Sequence, residues 1–190
     1  MTQEIEIEYK NLLTKDEYEQ LLHSLPFPPS GNKQTNHYFE SKDNLLKKEA
    51  CALRIREKAG KYQLTLKEPH PDGLLETHDS LTEQEANAWL DGNIIPKKNT
   101  EKQLLNKGIS MKELLYCGYL TTIRREIPYQ GVLLVLDYST YHGQEDYEFE
   151  LEATSKDTGL QLFQQLLSEH NIQKRETPNK IERFFYSMNE

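Results

Sequence analysis

The feature that most constrains the fold is a strict alternation of charged and apolar residues in several short segments. The segment EIEIEYK, residues 4–10, alternates Glu4, Glu6, Glu8 and Lys10 with two isoleucines and a tyrosine. In a β-strand, alternate side chains lie on the same face, so the four charged groups share one face. Acidic groups about 7 Å apart along a strand repel one another unless a positive charge lies nearby. A strand with one face in water also carries charges on that face, so this segment alone allows a solvated surface or a binding surface.

Later segments repeat the pattern, and in most of them the charged face has one dominant sign. LRIREK and YQLTLKEP are basic or polar on one face and apolar on the other, TTIRRE carries an arginine on its polar face, and YEFELEA is acidic. A solvated surface normally mixes the two signs within each strand. Rows of separate sign instead favour strands that face one another across a gap, with acids opposite bases. The residues in these rows are Arg54, Arg56, Lys58, Gln63, Thr65, Lys67, Thr122, Arg124, Glu148, Glu150 and Glu152.

The order of predicted elements favours an α+β protein with a closed antiparallel sheet. A capping box at Thr14 and Glu17 predicts a first helix, and Ala59–Gly60 predicts a hairpin turn. LTEQEANAWLDG predicts another helix, and NTEKQLLNKGISMKELLYCG predicts two short helices separated at Gly108. Further helices are predicted from about Lys156 to His170 and from about Pro178. Because the apolar strand faces must be covered, the helices are expected to surround a barrel with a charged lumen.

Length and composition limit the other possibilities. A length of 190 residues suits one domain, predicted over 1–190 with a helical insert at about 82–117. A net charge of −8 argues against nucleic acid and anionic membranes as partners. The longest apolar run, GVLLVL, is too short to span a bilayer, and the first residues carry no export signal. Two cysteines without metal-ligand spacing are expected to be free thiols, so a cytoplasmic location is predicted.

A charged lumen of this kind predicts its own ligand. Confined carboxylates bind hard divalent cations such as Mg²⁺ or Mn²⁺ through oxygen. Arginine and lysine bind phosphate or carboxylate oxygens, and arginine does so in a bidentate manner. A ligand that satisfies both kinds of group at once is a metal–polyphosphate complex.

The chain resembles the CYTH superfamily of triphosphate tunnel metalloenzymes, which includes class IV bacterial adenylate cyclase and mammalian thiamine triphosphatase. EIEIEYK contains the Glu-x-Glu-x-Lys signature of that family, and EFELE resembles its Glu-x-Glu-x-Glu strand. LRIR and LTLKEP resemble its basic strands. The likeness runs through almost the whole chain and suggests a small bacterial member. It implies a closed eight-stranded antiparallel β-barrel, or tunnel, that binds a triphosphate or a nucleoside triphosphate.

The resemblance also implies roles for individual residues. The residues it marks as catalytic are Glu6, Glu8, Lys10, Glu150 and Glu152. The metal ligands among them, for Mg²⁺ or Mn²⁺, are Glu6, Glu8, Glu150 and Glu152. The residues it assigns to the phosphates are Arg54, Arg56, Lys67, Arg124 and Lys180. Possible inner-wall residues without a set role are Glu76, Asp137 and Glu148. Many members carry a lysine where this chain has Thr122, so one phosphate contact is expected to be missing or replaced.

Three functions are consistent with this pattern. The leading hypothesis is metal-dependent hydrolysis of inorganic triphosphate or a small organic triphosphate. The main alternative is a class IV-type adenylate cyclase that converts ATP to cyclic AMP and pyrophosphate. The third is a non-catalytic binder of polyphosphate or nucleotide. In each case the protein is expected to act as a monomer or a homodimer.

Overall fold

The structure is a computed structural model that describes residues 2–189. The strands in this range are β1 (Gln3–Leu13), β2 (Asn32–Ser41), β3 (Ala52–Lys58), β4 (Lys61–His70), β5 (Gly73–Leu81), β6 (Leu114–Tyr129), β7 (Val132–Tyr141) and β8 (Gln144–Ala153). The α-helices are α1 (Lys15–Ser24), α2 (Leu45–Lys48), α3 (Glu83–Leu90), α4 (Lys98–Asn106), α5 (Lys156–Glu169) and α6 (Lys180–Ser187). The strands form a closed antiparallel barrel in the order β1-β5-β4-β3-β2-β6-β7-β8, with the helices around it. The predicted fold class is therefore confirmed.

The chain divides into two compact units. The first unit contains the N-terminal residues through Ile5 and Gln34–Leu120, and the second contains Glu6–Lys33 and the chain from Thr121 onward. Each unit has a hydrophobic core of its own.

The core of the first unit forms where the apolar faces of β3 and β4 meet the helices. Leu53, Ile55 and Leu64 alternate with polar residues along their strands and are fully buried. Trp89 of α3 is also fully buried and packs edge-on against Phe39, with ring centroids 5.2 Å apart. This contact fixes α3 to the sheet.

The core of the second unit is built on the apolar face of β8. Phe149 is fully buried and stacks on Phe163 of α5, with ring centroids 5.7 Å apart.

The predicted capping box at the start of α1 is present, because Thr14 accepts from the Glu17 amide and Glu17 accepts from the Thr14 amide. The start of α1 therefore follows from the sequence.

Three hairpin turns each place two residues at positive φ. The pairs are Ala59–Gly60, Gln130–Gly131 and His142–Gly143. Two successive residues at positive φ are typical of two-residue turns that match the right-handed twist of the flanking strands. The turn predicted at Ala59–Gly60 is therefore confirmed.

One helix prediction is wrong. The segment after Gly108 forms only a three-residue 3-10 turn, Met111–Glu113, and the chain then enters β6 at Leu114. Leu114 is buried and Leu115 is exposed, which is the period-two pattern of a strand. The helical residues after β5 thus end before the predicted limit of about 117.

Within residues 2–189, none of the helices has the length and apolar character needed to cross a bilayer.

Candidate functional site

The inner wall of the second unit carries the acidic residues predicted from the sequence. Strands β1 and β8 pair so that Glu8 lies opposite Glu152 and Lys10 lies opposite Glu150. Residues directly opposite each other in an antiparallel pair project from the same face. Lys10 forms an ion pair with Glu8 at 3.0 Å and also contacts the side chain of Asn179. The register therefore brings the two predicted acidic rows onto one surface.

Excess negative charge collects around Glu152. Burial is the largest cause that raises the pKa of its carboxyl, and the neighbouring carboxylates Glu6, Glu150 and Glu8 raise it further. Arg124 lowers it, but the net result is a pKa of about 7. A carboxyl held this far above its ordinary pKa is a place where a divalent cation would remove repulsion.

A buried arginine joins three strands of the second unit. Arg124 of β6 donates from Nε and Nη2 to the two carboxylate oxygens of Asp137, at 2.9 and 2.7 Å. Its Nη2 also donates to Oε2 of Glu150 at 2.9 Å. Burial alone would raise the pKa of Asp137, but Arg124 and Lys180 outweigh it and hold that pKa below its ordinary value. The bidentate geometry fixes the guanidinium in one orientation.

The first residue of α6 completes this network. The Lys180 ammonium contacts Oδ2 of Asp137 at 2.9 Å and also contacts carboxylate oxygens of Glu148 and Glu150. Burial alone would lower the pKa of Lys180, but the three carboxylates hold it well above its ordinary value. Lys180 is therefore charged, and α6 is joined to β7 and β8 through this ammonium.

A second cation from α6 was not predicted from the sequence. Arg183 donates from Nη1 to Oε2 of Glu148 at 2.7 Å and from Nε to Oδ2 of Asp146 at 3.0 Å. Burial raises the pKa of Glu148, Lys180 lowers it and Glu150 raises it, with a result of about 7. Arg183 lies three residues after Lys180, and residues at this spacing share one face of a helix. That spacing was the signal available in the sequence.

Two groups of described side chains bring their ligand atoms close enough for a metal site, and they are Glu4 with Glu76 and His78, and Asp137 with Glu148 and Glu150. The ligand oxygens of Asp137, Glu148 and Glu150 lie within 4.8 Å of one another, which is close enough for a metal site. The Lys180 ammonium already contacts all three, so its positive charge supplies what a metal would supply there. Of the predicted metal ligands, only Glu150 belongs to either group, so the assignment of Glu6, Glu8 and Glu152 to a metal ion stays a prediction.

The inner wall of the first unit is basic. Arg54 lies opposite Thr65 on β4, and Lys67 lies opposite Glu76 on β5. Lys67 forms an ion pair with Glu76 at 2.9 Å. Arg56 donates from Nε to Oδ1 of Asn36 at 2.9 Å. The predicted phosphate-binding residues of this unit thus lie on neighbouring strands and project from one face.

Glu76 is embedded in a hydrogen-bonded group of the first unit. Burial raises its pKa, but a hydrogen bond from His78 and the charges of Lys67 and Arg54 outweigh burial and hold that pKa well below its ordinary value. His78 contacts Oε2 of Glu76 at 3.3 Å and Oε1 of Glu4 at 3.0 Å through Nε2. The hydrogen bond that His78 donates to Glu76 is the largest cause that raises the pKa of His78. Sequence patterns gave Glu76 no role. The structure shows that its negative charge is stabilised by His78, Lys67 and Arg54.

Thr122, which stands where the family resemblance led us to expect a lysine, pairs with a hydroxyl on the neighbouring strand. The Thr122 hydroxyl lies 2.9 Å from the Ser139 hydroxyl on the neighbouring strand, and both residues are buried. A neutral hydroxyl pair thus occupies the position at which the family resemblance led us to expect a lysine.

A family comparison decides where this chain belongs. The family model described as the CYTH domain matches residues 4–185, almost the whole chain. This chain is a CYTH protein. The resemblance inferred from the glutamate and arginine rows is therefore confirmed, and CYTH proteins are metalloenzymes.

Individual relatives agree with the family assignment. The CYTH chain is 45% identical over 186 residues to a Bacillus subtilis protein described as "Putative triphosphatase YjbK", covering 97% of this chain and 96% of that one. A crystal structure from Bacillus halodurans, described as that of a "putative adenylate cyclase", matches with a TM-score of 0.94 and 43% identity, covering 97% of this chain and 100% of that one. The Hippeastrum protein HpAC1 matches with a TM-score of 0.78 and 24% identity over 96% of each chain, which shows the shared fold alone.

Proposed function

We propose that this CYTH protein is a divalent-metal-dependent triphosphatase that hydrolyses inorganic triphosphate or a small organic triphosphate. The observation that carries the proposal is the separation of charge on the barrel strands. The acidic cluster around Glu152 suits a metal ion, and the basic rows of β3, β4 and β6 suit phosphate oxygens. The likeness to YjbK, whose description names a triphosphatase, supports the same activity.

The carboxylates proposed to hold Mg²⁺ or Mn²⁺ are Glu6, Glu8, Glu150 and Glu152. The raised pKa of Glu152 supports this set, because it reports like charges that a cation would neutralise. Arg124 already contacts Oε2 of Glu150 and Lys180 contacts Oε1, so Glu150 would bind a cation through a remaining lone pair of one of these oxygens. When bound, such an ion neutralises phosphate charge and lowers the pKa of a coordinated water.

The cations proposed to bind the phosphates are Arg54, Arg56, Lys67, Arg124 and Lys180. Phosphoryl transfer needs little covalent chemistry from the protein and depends on positioning and electrostatic stabilisation. Guanidinium groups fixed by hydrogen bonds before the substrate arrives supply that stabilisation without reorganisation. The contact of Arg56 with Asn36 and that of Arg124 with Asp137 fix two of them in this way. Lys10 is proposed to neutralise the leaving phosphate or to hold the phosphate chain.

Asp137 and Glu148 are proposed to position Lys180. Both carboxylates contact its ammonium, and Arg183 in turn contacts Glu148. We therefore propose that Asp137 and Glu148 orient α6 through its first residue, Lys180. Glu76 is proposed to do the same for Lys67.

Product analysis tests the proposal. Purified protein is incubated with inorganic triphosphate and with ATP, in each case with Mg²⁺ or Mn²⁺, and products are identified by phosphorus NMR. We expect orthophosphate and pyrophosphate from triphosphate, and a loss of more than about 100-fold in Glu6→Ala and Glu150→Ala. Glu19→Gln, an exposed glutamate of α1, is the matched control and keeps its rate. Wild-type turnover in Glu6→Ala would refute the metal assignment.

Adenylate cyclase activity is the second candidate. The Bacillus halodurans structure that matches at 43% identity carries that description. In this reaction the 3′-hydroxyl of ATP attacks the α-phosphate and pyrophosphate leaves. Cyclic AMP and pyrophosphate from ATP, with inorganic triphosphate left intact, would favour this alternative over the hydrolase.

We further propose that the protein acts in the cytoplasm as a monomer or homodimer. Cys51 and Cys117 are both free, and this supports a reducing compartment. Size-exclusion chromatography with light scattering tests the oligomeric state.

A further inference from the structure

Two side-chain amides on β2 lie on the same face as the basic row of the first unit. Gln34 is paired in register with Lys58, and Asn36 with Arg56. Directly opposed residues of an antiparallel pair share a face, so both amides lie beside the guanidinium groups proposed to bind phosphate. Gln34 is 2% exposed and Asn36 is 1% exposed, so the two amides are among the most deeply buried polar groups of the unit.

The orientation of the Asn36 amide is fixed by its neighbour. Arg56 Nε lies 2.9 Å from the Asn36 side-chain oxygen. A guanidinium only donates hydrogen bonds, so the oxygen faces Arg56 and the NH₂ group faces away from it. Among the described residues, no group accepts a hydrogen bond from that buried nitrogen. Asn36 therefore presents a donor of fixed orientation that has no partner in the described part of the chain.

Gln34 and Arg54 add further unused groups to the same face. Neither the nitrogen nor the oxygen of the Gln34 amide has a hydrogen-bond partner among residues 2–189, and both atoms are buried. Arg54 Nε is likewise buried and unpaired within the described chain. Buried polar groups without partners destabilise a folded protein, and native structures retain few of them without a functional reason.

We propose that Gln34 and Asn36 form a neutral amide subsite that donates hydrogen bonds to phosphate oxygens of the substrate, next to Arg54 and Arg56. Within residues 2–189, no hydrogen bond fixes the orientation of the Gln34 amide, so this group can turn its NH₂ toward an oxygen acceptor. Neutral donors bind phosphate oxygens without adding a further positive charge to a row that already holds two arginines and Lys58. The inference rests on the proposed triphosphate substrate and extends its binding site to β2.

A ligand site and a structural role predict opposite effects of one substitution. Gln34→Met keeps the length of the side chain and removes both unpaired polar atoms. If the amide serves the ligand, the ligand-free variant melts at a higher temperature, by roughly 2–4 °C, because an unsatisfied group is gone. Its KM for inorganic triphosphate with Mg²⁺ rises by about 10-fold, because a hydrogen bond to a charged acceptor is lost.

A second variant tests whether the NH₂ donor of Asn36 binds the substrate. Asn36→Asp retains an oxygen for Arg56 and replaces the unpaired donor with a second acceptor. We expect KM to rise by more than about 10-fold, because the negatively charged carboxylate of the new aspartate repels phosphate oxygens. Gln161→Met, which makes the same change as Gln34→Met on an exposed position of α5, is the matched control for that variant and leaves melting temperature and KM unchanged.

The possible outcomes separate failure of the amide subsite from failure of the triphosphatase proposal. A lower ligand-free melting temperature and an unchanged KM in Gln34→Met would show a structural role and overturn the subsite. An unchanged KM in both variants, with or without a change in melting temperature, would also overturn it. Wild-type protein that does not hydrolyse triphosphate would refute the proposed function itself, before any variant is compared.

Discussion

Lys180 should be one of the most important single cations for the stability of the fold. Its ammonium contacts Asp137, Glu148 and Glu150, and all three residues are buried, with exposed fractions of 0%, 0% and 5%. Lys180→Met keeps most of the aliphatic side chain and leaves these acids without that charge. Removing one partner of a buried ion pair typically costs about 3–5 kcal/mol. With a urea dependence of about 2 kcal/mol per molar, the unfolding midpoint should fall by about 1.5–2.5 M.

The assay is urea unfolding followed by circular dichroism, in the presence of a chelator so that no metal replaces the lysine. Lys180 lowers the pKa of Asp137 in the folded protein, so its stabilisation is present above the unfolded pKa of about 3.9. The cost of Lys180→Met should therefore shrink as the pH falls below about 4. The control is Lys97→Met, which removes a partly exposed ion pair with Glu85 and should lower the urea midpoint far less. Equal costs for the two variants at pH 7 would refute the buried network as described.

Three further outcomes follow from local contacts. Gly159→Ala should lower the free energy of unfolding by about 1–3 kcal/mol, because the added methyl would lie 2.6 Å from the Ala153 side chain; an unchanged urea midpoint would contradict this packing. Thr14→Ala removes the cap of α1 and should cost about 1 kcal/mol in the same assay, whereas no change would show that the cap is dispensable. Burial raises the pKa of both Cys51 and Cys117 to about 11, so neither thiol should react with iodoacetamide within minutes at pH 8; rapid labelling by mass spectrometry would contradict their burial.

The strands and their inner faces were predictable because the charge alternation has a period of two. The rows at Glu6, Arg54 and Glu150 each follow it, and the strand order closes into the predicted barrel. The exception was the start of β6. There the apolar residues around Leu114 follow a helical segment closely, and only their packing against the core of the first unit selects a strand.

The partners of each charge were less predictable than the charges themselves. Arg183 is adjacent to aromatic residues in NKIERFF, so its sequence context suggested an ordinary helical position. Its contact with Glu148 depends on where α6 docks, which is a tertiary property. The buried amides Gln34 and Asn36 carry no charge and therefore left no mark in the charge pattern. Polar residues of this kind gain meaning only from burial and from the partners they lack.

The most direct test of the triphosphatase proposal is the rate of phosphate release from inorganic triphosphate by chelator-treated protein, before and after Mg²⁺ or Mn²⁺ is restored. Wild type and Glu152→Gln are measured side by side, with Glu19→Gln as the control. We expect no release without metal, full recovery in wild type and the control, and less than about 1% of that rate in Glu152→Gln. Release that persists without metal, or full recovery in Glu152→Gln, would contradict a metal-dependent site at the acidic cluster.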